Sequence, residues 1–286
     1  MGGHEQLDGT VRAAIELWLQ AFHRQFGDEL VAVYIDGSIA SGAFNPESSD
    51  IDLIALTRSE VPAFAVEDLD AAPRDALRSS GSPWSDEVEV TIAPKAAVSD
   101  FDPQDPPACW VLERGPAESF KAWRPDRGWL VHLHSMRSHP FVLHGPPPGE
   151  LIRPVSARTL REVAVWGAQR WLGGYLEQPE RLAAPGTRAF AVLTCCRLLY
   201  TRETGTIASK PAAGAWALNN LDVARHAVIR DALGWRKADA TTGPSREAAV
   251  RLMRYTRQAL QVSRYDGASL FARPFRRGSF RHLSRD

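Results

Sequence analysis

The chain has 286 residues, enough for one large domain or two ordinary ones, because single cores stop growing at about 250 to 300 residues. Apolar residues make up 44% and charged residues 24%, a globular composition that excludes a wholly disordered chain. Basic and acidic residues number 34 each, so the formal net charge is zero. Proteins that bind nucleic-acid backbones usually carry a positive excess, so this balance argues against a dedicated nucleic-acid-binding protein.

The three cysteines do not predict a disulfide framework. Cys195 and Cys196 are adjacent in an apolar stretch and are typical of buried thiols in a reducing compartment. The first residues lack a basic and apolar leader, and no apolar run approaches membrane-spanning length. We therefore expect a cytoplasmic protein without a membrane partner.

Strands and helices are both predicted before residue 150. Apolar residues recur with helical spacing from Val11 to Phe26, and Val88, Val90 and Ile92 alternate with polar residues as in a strand. In chain order we predict a helix over 11–26, strand 30–35, loop 36–49, strand 51–56, helix 67–79, strand 88–93, loop 94–108, a helix from about 126 to 139 and a short segment at 141–143.

A proline run at 146–148 predicts a domain boundary, because the strand signal disappears after it. Helices are predicted at 157–177, 188–203, 210–219, 222–233 and 245–264, with Ser156 and Ser209 as N-caps and Gly205 as a stop. The predicted fold class is α+β. A mixed sheet with helices (residues 1–150) precedes an all-helical bundle (151–265) and a basic, mobile tail (266–286).

Two carboxylates stand at the start of the second strand. Residues i and i+2 of a strand share a face, so Asp50 and Asp52 lie side by side while Ile51 faces the core. Adjacent carboxylates repel unless a cation sits between them, and hard oxygen ligands suit Mg²⁺. Gly37 and Ser38 come directly off the first strand, where small residues let backbone N–H groups and a hydroxyl approach an anion.

A third acid lies on the strand over 88–93. Glu89 alternates with Val88 and Val90, and it joins the acidic face if this strand pairs beside the strand of Asp50 and Asp52. A carboxylate there could take a proton from an attacking hydroxyl. Glu87 shares the face and is the rival for this role.

The sequence Gly37-Ser38, followed after a short loop by Ser49-Asp50-Ile51-Asp52-Leu53, resembles the signature of the DNA polymerase β nucleotidyltransferase superfamily. A second set of residues is similar to the C-terminal domain of the aminoglycoside 3''-O-nucleotidyltransferases, the streptomycin/spectinomycin adenylyltransferases. That set is Leu193-Thr194, Arg197, Tyr200, Thr204-Gly205, Ile207, Ser209-Lys210, Ala212-Ala213 and Trp216-Ala217.

This resemblance implies an enzyme that transfers AMP from ATP to a hydroxyl of an aminoglycoside-type antibiotic and releases pyrophosphate. It implies that Asp50 and Asp52 bind Mg²⁺, and it favours Glu89 over Glu87 as the catalytic base. The residues implied to bind the nucleotide phosphates are Gly37, Ser38, Ser49, Arg197 and Lys210. Lysine is scarce among the basic residues of this chain, which marks each of the four lysines as a position to check: Lys95, Lys121, Lys210 and Lys237.

The drug-contacting segment departs from the family. The family carries a Trp and acidic residues just before the Arg197 helix, whereas residues 178–190 have no Trp and carry Arg181 and Arg188 beside a single acid, Glu180. Trp110 matches another drug-stacking Trp, but its spacing from Glu89 is shorter than in the family.

These departures leave the acceptor and the oligomeric state open. Besides streptomycin or spectinomycin, the acceptor could be another small hydroxyl compound, a protein or a tRNA, although the neutral net charge weighs against tRNA. A non-catalytic nucleotide-binding regulator is the other alternative. It predicts loss of the acidic trio, yet Asp50, Asp52 and Glu89 are all present.

Overall fold

The computed structural model describes residues 7–67, 69–116, 118–238 and 242–262. Within them one six-stranded sheet has the order β5-β4-β3-β2-β1-β6. β2 and β3 run parallel, and the other neighbours are antiparallel, so the sheet is mixed as predicted. The strands are β1 (Leu30–Ile35), β2 (Ile51–Thr57), β3 (Val88–Pro94), β4 (Cys109–Leu112), β5 (Lys121–Trp123) and β6 (Val142–His144).

Helix α1 (Gly9–Phe26) covers one face of the sheet together with α3 (Ala71–Ser79). The Thr10 N–H donates to the Asp8 side chain at the start of α1, and the predicted apolar face is buried there, with Trp18 and Phe22 fully enclosed. This core continues onto the sheet through alternate residues of the strands, including Ile51 in β2 and Val88, Val90 and Ile92 in β3.

The opposite face of the sheet packs on α4 (Ala96–Ser99) and α5 (Trp129–Ser138). Its core includes Tyr34 of β1 and Ile54 and Leu56 of β2. Strand alternation places Asp36 and Asp52 on this same face, at the ends of β1 and β2. The functional candidates therefore lie where this second core ends.

The part of the chain after β6 is helical. A separate core holds Cys195 and Cys196, which are buried free thiols as predicted. Ser156 and Ser209 accept hydrogen bonds from the backbone N–H groups of Thr159 and Ala212, which confirms both N-caps. The helices are α6 (Pro148–Leu151), α7 (Ala157–Glu177), α8 (Pro185–Thr204), α9 (Lys210–Asn220), α10 (His226–Gly234) and α11 (Arg246–Val262).

Several predicted boundaries were wrong. The predicted loop 36–49 contains a short helix, α2 (Gly37–Ala40), and the predicted loop 94–108 contains α4. Helix α8 begins earlier than predicted, at Pro185, because proline at the first helical position loses no intrahelical hydrogen bond. Strands β4 and β5 were missed, since each is too short to show a period of two.

Two predictions concern residues at the chain end or the membrane. The predicted tail over 266–286, and the last two residues of the helix predicted over 245–264, lie outside the described residues. Among the helices that are described, none has the length and apolar character needed to cross a membrane. The domain boundary at about residue 150 stays a prediction.

Candidate active site

Three carboxylates come together at the edge where β2 and β3 begin. Asp52 of β2 and Glu89 of β3 are direct partners in the parallel register, and Asp50 precedes Asp52 by two residues on the same face. Their carboxylate oxygens lie within 4.8 Å of one another, and all three residues are partly buried. We refer to these three residues as the acidic cluster. A set of clustered carboxylate oxygens fits a hard divalent cation such as Mg²⁺.

The acidic cluster is electrostatically strained. Burial raises the pKa of Asp52 well above 3.8, and the charges of Asp50 and Glu89 raise it further. Burial also raises the pKa of Glu89, and Asp50 adds to the effect, while Arg114 and Lys210 oppose it. A cation bound among these oxygens would relieve the repulsion.

The turn after β1 is packed directly against Asp52. Gly37 has φ +66, and a Cβ atom at that position would lie 2.0 Å from Oδ2 of Asp52. Only glycine fits this backbone and this contact. The hydroxyl of Ser38 next to it is buried and has no hydrogen-bond partner within the described part of the chain, so it is available to a ligand.

The loop before Asp50 is held by a lysine from the helical half. Ser49 accepts a hydrogen bond at Oγ from the Asn45 N–H (3.0 Å), and its carbonyl oxygen accepts one from Lys237 Nζ (2.6 Å). Lys237 also pairs with Glu87, whose carboxylate is therefore engaged outside the acidic cluster. Glu87, the rival candidate for the base, therefore has an ion-pair partner of its own in Lys237.

Two cations from the helical half have no counter-ion among the residues that the structure describes. No carboxylate of the described residues lies within ion-pair distance of Arg197 on α8 or of Lys210 at the start of α9. Burial lowers the pKa of both groups, and the charge of Arg197 lowers that of Lys210 further. Nearby carboxylates oppose these shifts, Asp36 and Asp52 for Arg197 and Asp50 and Asp52 for Lys210, so both cations lie in the electrostatic field of the site. Lys210 Nζ lies 4.2 Å from the centroid of the Phe190 ring, but an aromatic ring carries no net negative charge. Partly buried cations that no carboxylate neutralises are a suitable environment for a polyanion.

Arg114 was missed by the sequence analysis. It follows β4, and its Nη1 atom lies 3.2 Å from Oδ2 of Asp50 and 3.9 Å from Oε2 of Glu87. Its Nε atom lies 3.9 Å from Oε1 of Glu89. No sequence signal pointed to this residue, because neither flanking strand had been predicted.

An Asp–His pair next to the Gly37 turn was also missed. His132 Nδ1 lies 2.7 Å from Oδ2 of Asp36, which is only 3% exposed. Burial opposes ionisation of Asp36, but the hydrogen bond and charge of His132 outweigh it and lower its pKa. An ionised carboxylate only accepts, so Nδ1 of His132 carries the proton and donates. The Asp36 N–H donates to the Asp52 carbonyl (3.1 Å), which ties this pair to the acidic cluster.

The structure does not bring Trp110 to the acidic cluster. Trp110 pairs with Ile92 across β4 and β3, and both side chains pack in the core on the α1 side of the sheet. Its indole N–H donates to the Val61 carbonyl oxygen (2.8 Å). The acids lie on the other face, so the position of Trp110 gives no support to a role in stacking on an acceptor.

Comparison with known proteins places the chain in a family. Proteins from Klebsiella pneumoniae, Shigella flexneri and Escherichia coli, each named aminoglycoside (3'') (9) adenylyltransferase, are 30% identical to it over 220 residues. The match covers 73% of this chain and 78 to 79% of each relative. The chain belongs to the aminoglycoside adenylyltransferase family. The family described as "Aminoglycoside adenylyltransferase, C-terminal domain" matches residues 150–260.

A solved structure shares the fold. The crystal structure of spectinomycin adenyltransferase AAD(9) from Enterococcus faecialis with ATP and spectinomycin superposes with a TM-score of 0.66. The match covers 87% of this chain and 98% of that chain at 16% sequence identity, which supports the predicted mixed sheet followed by a helical part. Like its relatives, this family member is an adenylyltransferase.

Proposed function

We propose that this adenylyltransferase transfers AMP from ATP to a hydroxyl of an aminoglycoside-type antibiotic, streptomycin or spectinomycin, with Mg²⁺ as cofactor and pyrophosphate as product. One observation carries the proposal. An acidic cluster lies in the same electrostatic environment as two cations, Arg197 and Lys210, that have no counter-ion among the described residues. Magnesium triphosphate has the complementary charges. The names of the relatives and the ATP and spectinomycin held by the similar structure agree with it.

Asp50 and Asp52 are the proposed ligands of Mg²⁺. Their oxygen atoms are hard donors, and their mutual repulsion favours a bound cation. When bound, the ion would neutralise charge on the phosphate oxygens. Because Gly37 lets the turn approach Asp52 closely, the hydroxyl of Ser38, which has no hydrogen-bond partner among the described residues, is well placed to donate to a phosphate. We propose the same role for Ser49, whose Oγ accepts a bond and still has its own proton to donate.

Arg197 and Lys210 are proposed to orient the triphosphate. Both come from the helical half, whereas the acidic cluster comes from the sheet, so the nucleotide would lie between the two proposed domains, residues 1–150 and 151–265. Phosphate oxygens would supply the negative charge that no described carboxylate brings within ion-pair distance of these two cations. We propose a cytoplasmic location for the enzyme, because the ATP that it would use is found there.

Glu89 is the proposed general base. It would accept the proton of the acceptor hydroxyl as the hydroxyl oxygen attacks the α-phosphorus of ATP. A new phosphorus–oxygen ester bond forms, and the bond to the departing pyrophosphate breaks. The raised pKa of Glu89 makes it a stronger base than an ordinary glutamate, which suits this role.

The contacts of residues 178–190 bear on the acceptor. Arg188 donates to the carbonyl oxygens of Leu182 and Pro244, and the Arg181 guanidinium lies 4.8 Å from the Tyr175 ring centroid. These two cations thus serve local packing. Glu180 is the single acid in this segment, which thus carries little negative charge to hold a cationic drug. This favours a second candidate acceptor, a small hydroxyl compound with less positive charge than streptomycin.

A transfer assay tests the proposal. The purified protein is incubated with Mg²⁺ and ATP labelled at the α-phosphorus, together with streptomycin, spectinomycin or uncharged polyols. We expect labelled AMP on at least one drug, and we expect Asp50→Ala to lower the rate by about 100-fold or more. Arg158→Ala, which removes an exposed ion pair with Glu162, is the matched control.

Two results would contradict the proposal. Binding of ATP without transfer to either drug contradicts the proposed acceptors, and transfer to a polyol would then identify the second candidate. A rate unchanged by Asp50→Ala contradicts the metal site. Expression in a drug-sensitive bacterium, with the same variants, checks the result in cells.

A further inference from the structure

Arg114 occupies the place where a bound cation would be expected. Its guanidinium approaches Asp50 and Glu89 at 3.2 and 3.9 Å, and these are two of the three carboxylates of the acidic cluster. Within the described ranges it is the cation at ion-pair distance from these two acids. The segment that carries it is anchored at the next residue, because the Gly115 N–H donates to the Asp86 carbonyl oxygen (2.9 Å).

A guanidinium and a divalent cation compete for the same oxygens. Two like charges a few ångströms apart repel, and the repulsion is strong in a partly buried site. A metal ion that binds Asp50 must therefore displace Arg114 or accept its repulsion. Displacement is easy to accommodate, since the side chain of Arg114 is 39% exposed and can swing toward solvent or toward an anion.

We infer that Arg114 is a positioning residue that pairs with Asp50 and Glu89 in the nucleotide-free enzyme. It thereby weakens the binding of a divalent cation to the acidic cluster until nucleotide binds. The inference rests on the proposed function. The triphosphate supplies the anions that the displaced guanidinium needs, so metal and nucleotide bind better together than either does alone. This coupling is reciprocal by linkage.

Titration of the nucleotide-free protein with Mn²⁺ tests the inference. Free Mn²⁺ is measured by electron paramagnetic resonance on the full chain, so the readout is independent of activity. We expect Arg114→Gln to bind Mn²⁺ about tenfold or more tightly than the wild type, because the positive charge is gone. Arg114→Lys, which keeps the charge, and Arg158→Ala, which alters a distant exposed pair, should stay close to the wild-type affinity.

A second titration adds nucleotide to the wild type and to Arg114→Gln. With a non-hydrolysable ATP analogue present, and with the Mn²⁺ that the analogue binds in a protein-free control subtracted, the wild type should bind Mn²⁺ about tenfold or more tightly than without the analogue, and the advantage of Arg114→Gln should disappear. An unchanged or weaker Mn²⁺ affinity in Arg114→Gln would overturn the inference, and so would an advantage that persists with the analogue. Failure of AMP transfer with the affinity shift intact would instead contradict the proposed function.

Discussion

The contact between Gly37 and Asp52 can be tested by adding one methyl group. In Gly37→Ala the new Cβ would lie 2.0 Å from Oδ2 of Asp52, whereas real Cβ contacts essentially never fall below 3.0 Å. The carboxylate must therefore move by about 1 Å. A movement of that size in a reacting or metal-binding group can cost about 100-fold in rate.

Gly42 is a matched control for the backbone. Its φ of +67 is almost the same as the +66 of Gly37, but a Cβ at Gly42 would meet nothing within 4 Å. Gly42→Ala should lose only the cost of a left-handed alanine, about 1 to 2 kcal/mol of unfolding free energy. Gly37→Ala should lose a further 1 to 3 kcal/mol or so from overpacking, unless Asp52 rotates away.

The assays are urea unfolding and AMP transfer on the same preparations. We expect both variants to fold, with transfer nearly normal in Gly42→Ala and about 100-fold slower in Gly37→Ala. The double variant Gly37→Ala/Asp52→Ala removes the clashing oxygens and should recover the stability attributed to overpacking. If Gly37→Ala matches Gly42→Ala in both stability and rate, the reasoning about this contact is refuted.

Three further predictions concern the charged groups of the site. The raised pKa of Asp52 means that the folded, metal-free protein binds a proton that the unfolded chain has lost, so the free energy of unfolding should fall as pH rises above 3.8. Asp52→Asn should reduce this fall to the part that the raised pKa of Glu89 contributes, and it should stabilise the metal-free protein at neutral pH while abolishing transfer. A pH-independent wild-type stability would contradict this. Glu89→Gln should lower kcat by about 10²- to 10⁴-fold with ATP affinity preserved. The wild-type rate should fall on acidification through a pKa above 4.5. A loss of ATP affinity in Glu89→Gln as large as the loss of kcat would argue against a base. Arg197→Ala and Lys210→Ala should each raise the Kd for ATP by about 10- to 100-fold in calorimetry, since charge-assisted hydrogen bonds contribute about 1.5 to 3 kcal/mol. The control is Arg251→Ala, which changes an exposed arginine. The same ATP affinity in all three variants would contradict the phosphate role.

The acidic cluster could be predicted because its geometry is local. Strand alternation places Asp50 and Asp52 on one face, and one pairing of neighbouring strands adds Glu89. The Gly37–Ser38 turn could also be predicted from local sequence, since two small residues directly after a buried strand indicate a tight turn that a ligand can approach closely. These features depend on few long-range contacts.

The cations and the Asp–His pair depend on distant contacts. Asp36 and His132 are 96 residues apart, and Lys237 reaches Ser49 across 188 residues, so no spacing rule connects them. The scarcity of lysine had marked Lys237 as a position to check but gave it no partner. Arg114 lies between two short strands that follow a proline-rich stretch. Because those strands could not be predicted, neither could the turn that brings Arg114 to the acids.

The resemblance to the family suggested a role for Glu89 and another for Trp110. It selected Glu89 over Glu87, and the structure shows Glu87 engaged with Lys237. It also suggested Trp110 as an acceptor contact. Pairing of Trp110 with Ile92 instead directs the indole into the core on the other face of the sheet, which a similarity of residue type alone does not reveal.

A crystal structure with Mn²⁺ and a non-hydrolysable ATP analogue tests the central claim most directly. The account predicts an anomalous peak coordinated by Asp50 and Asp52, with the triphosphate in contact with Arg197 and Lys210. Nucleotide bound elsewhere, or a metal peak away from these two carboxylates, would contradict it.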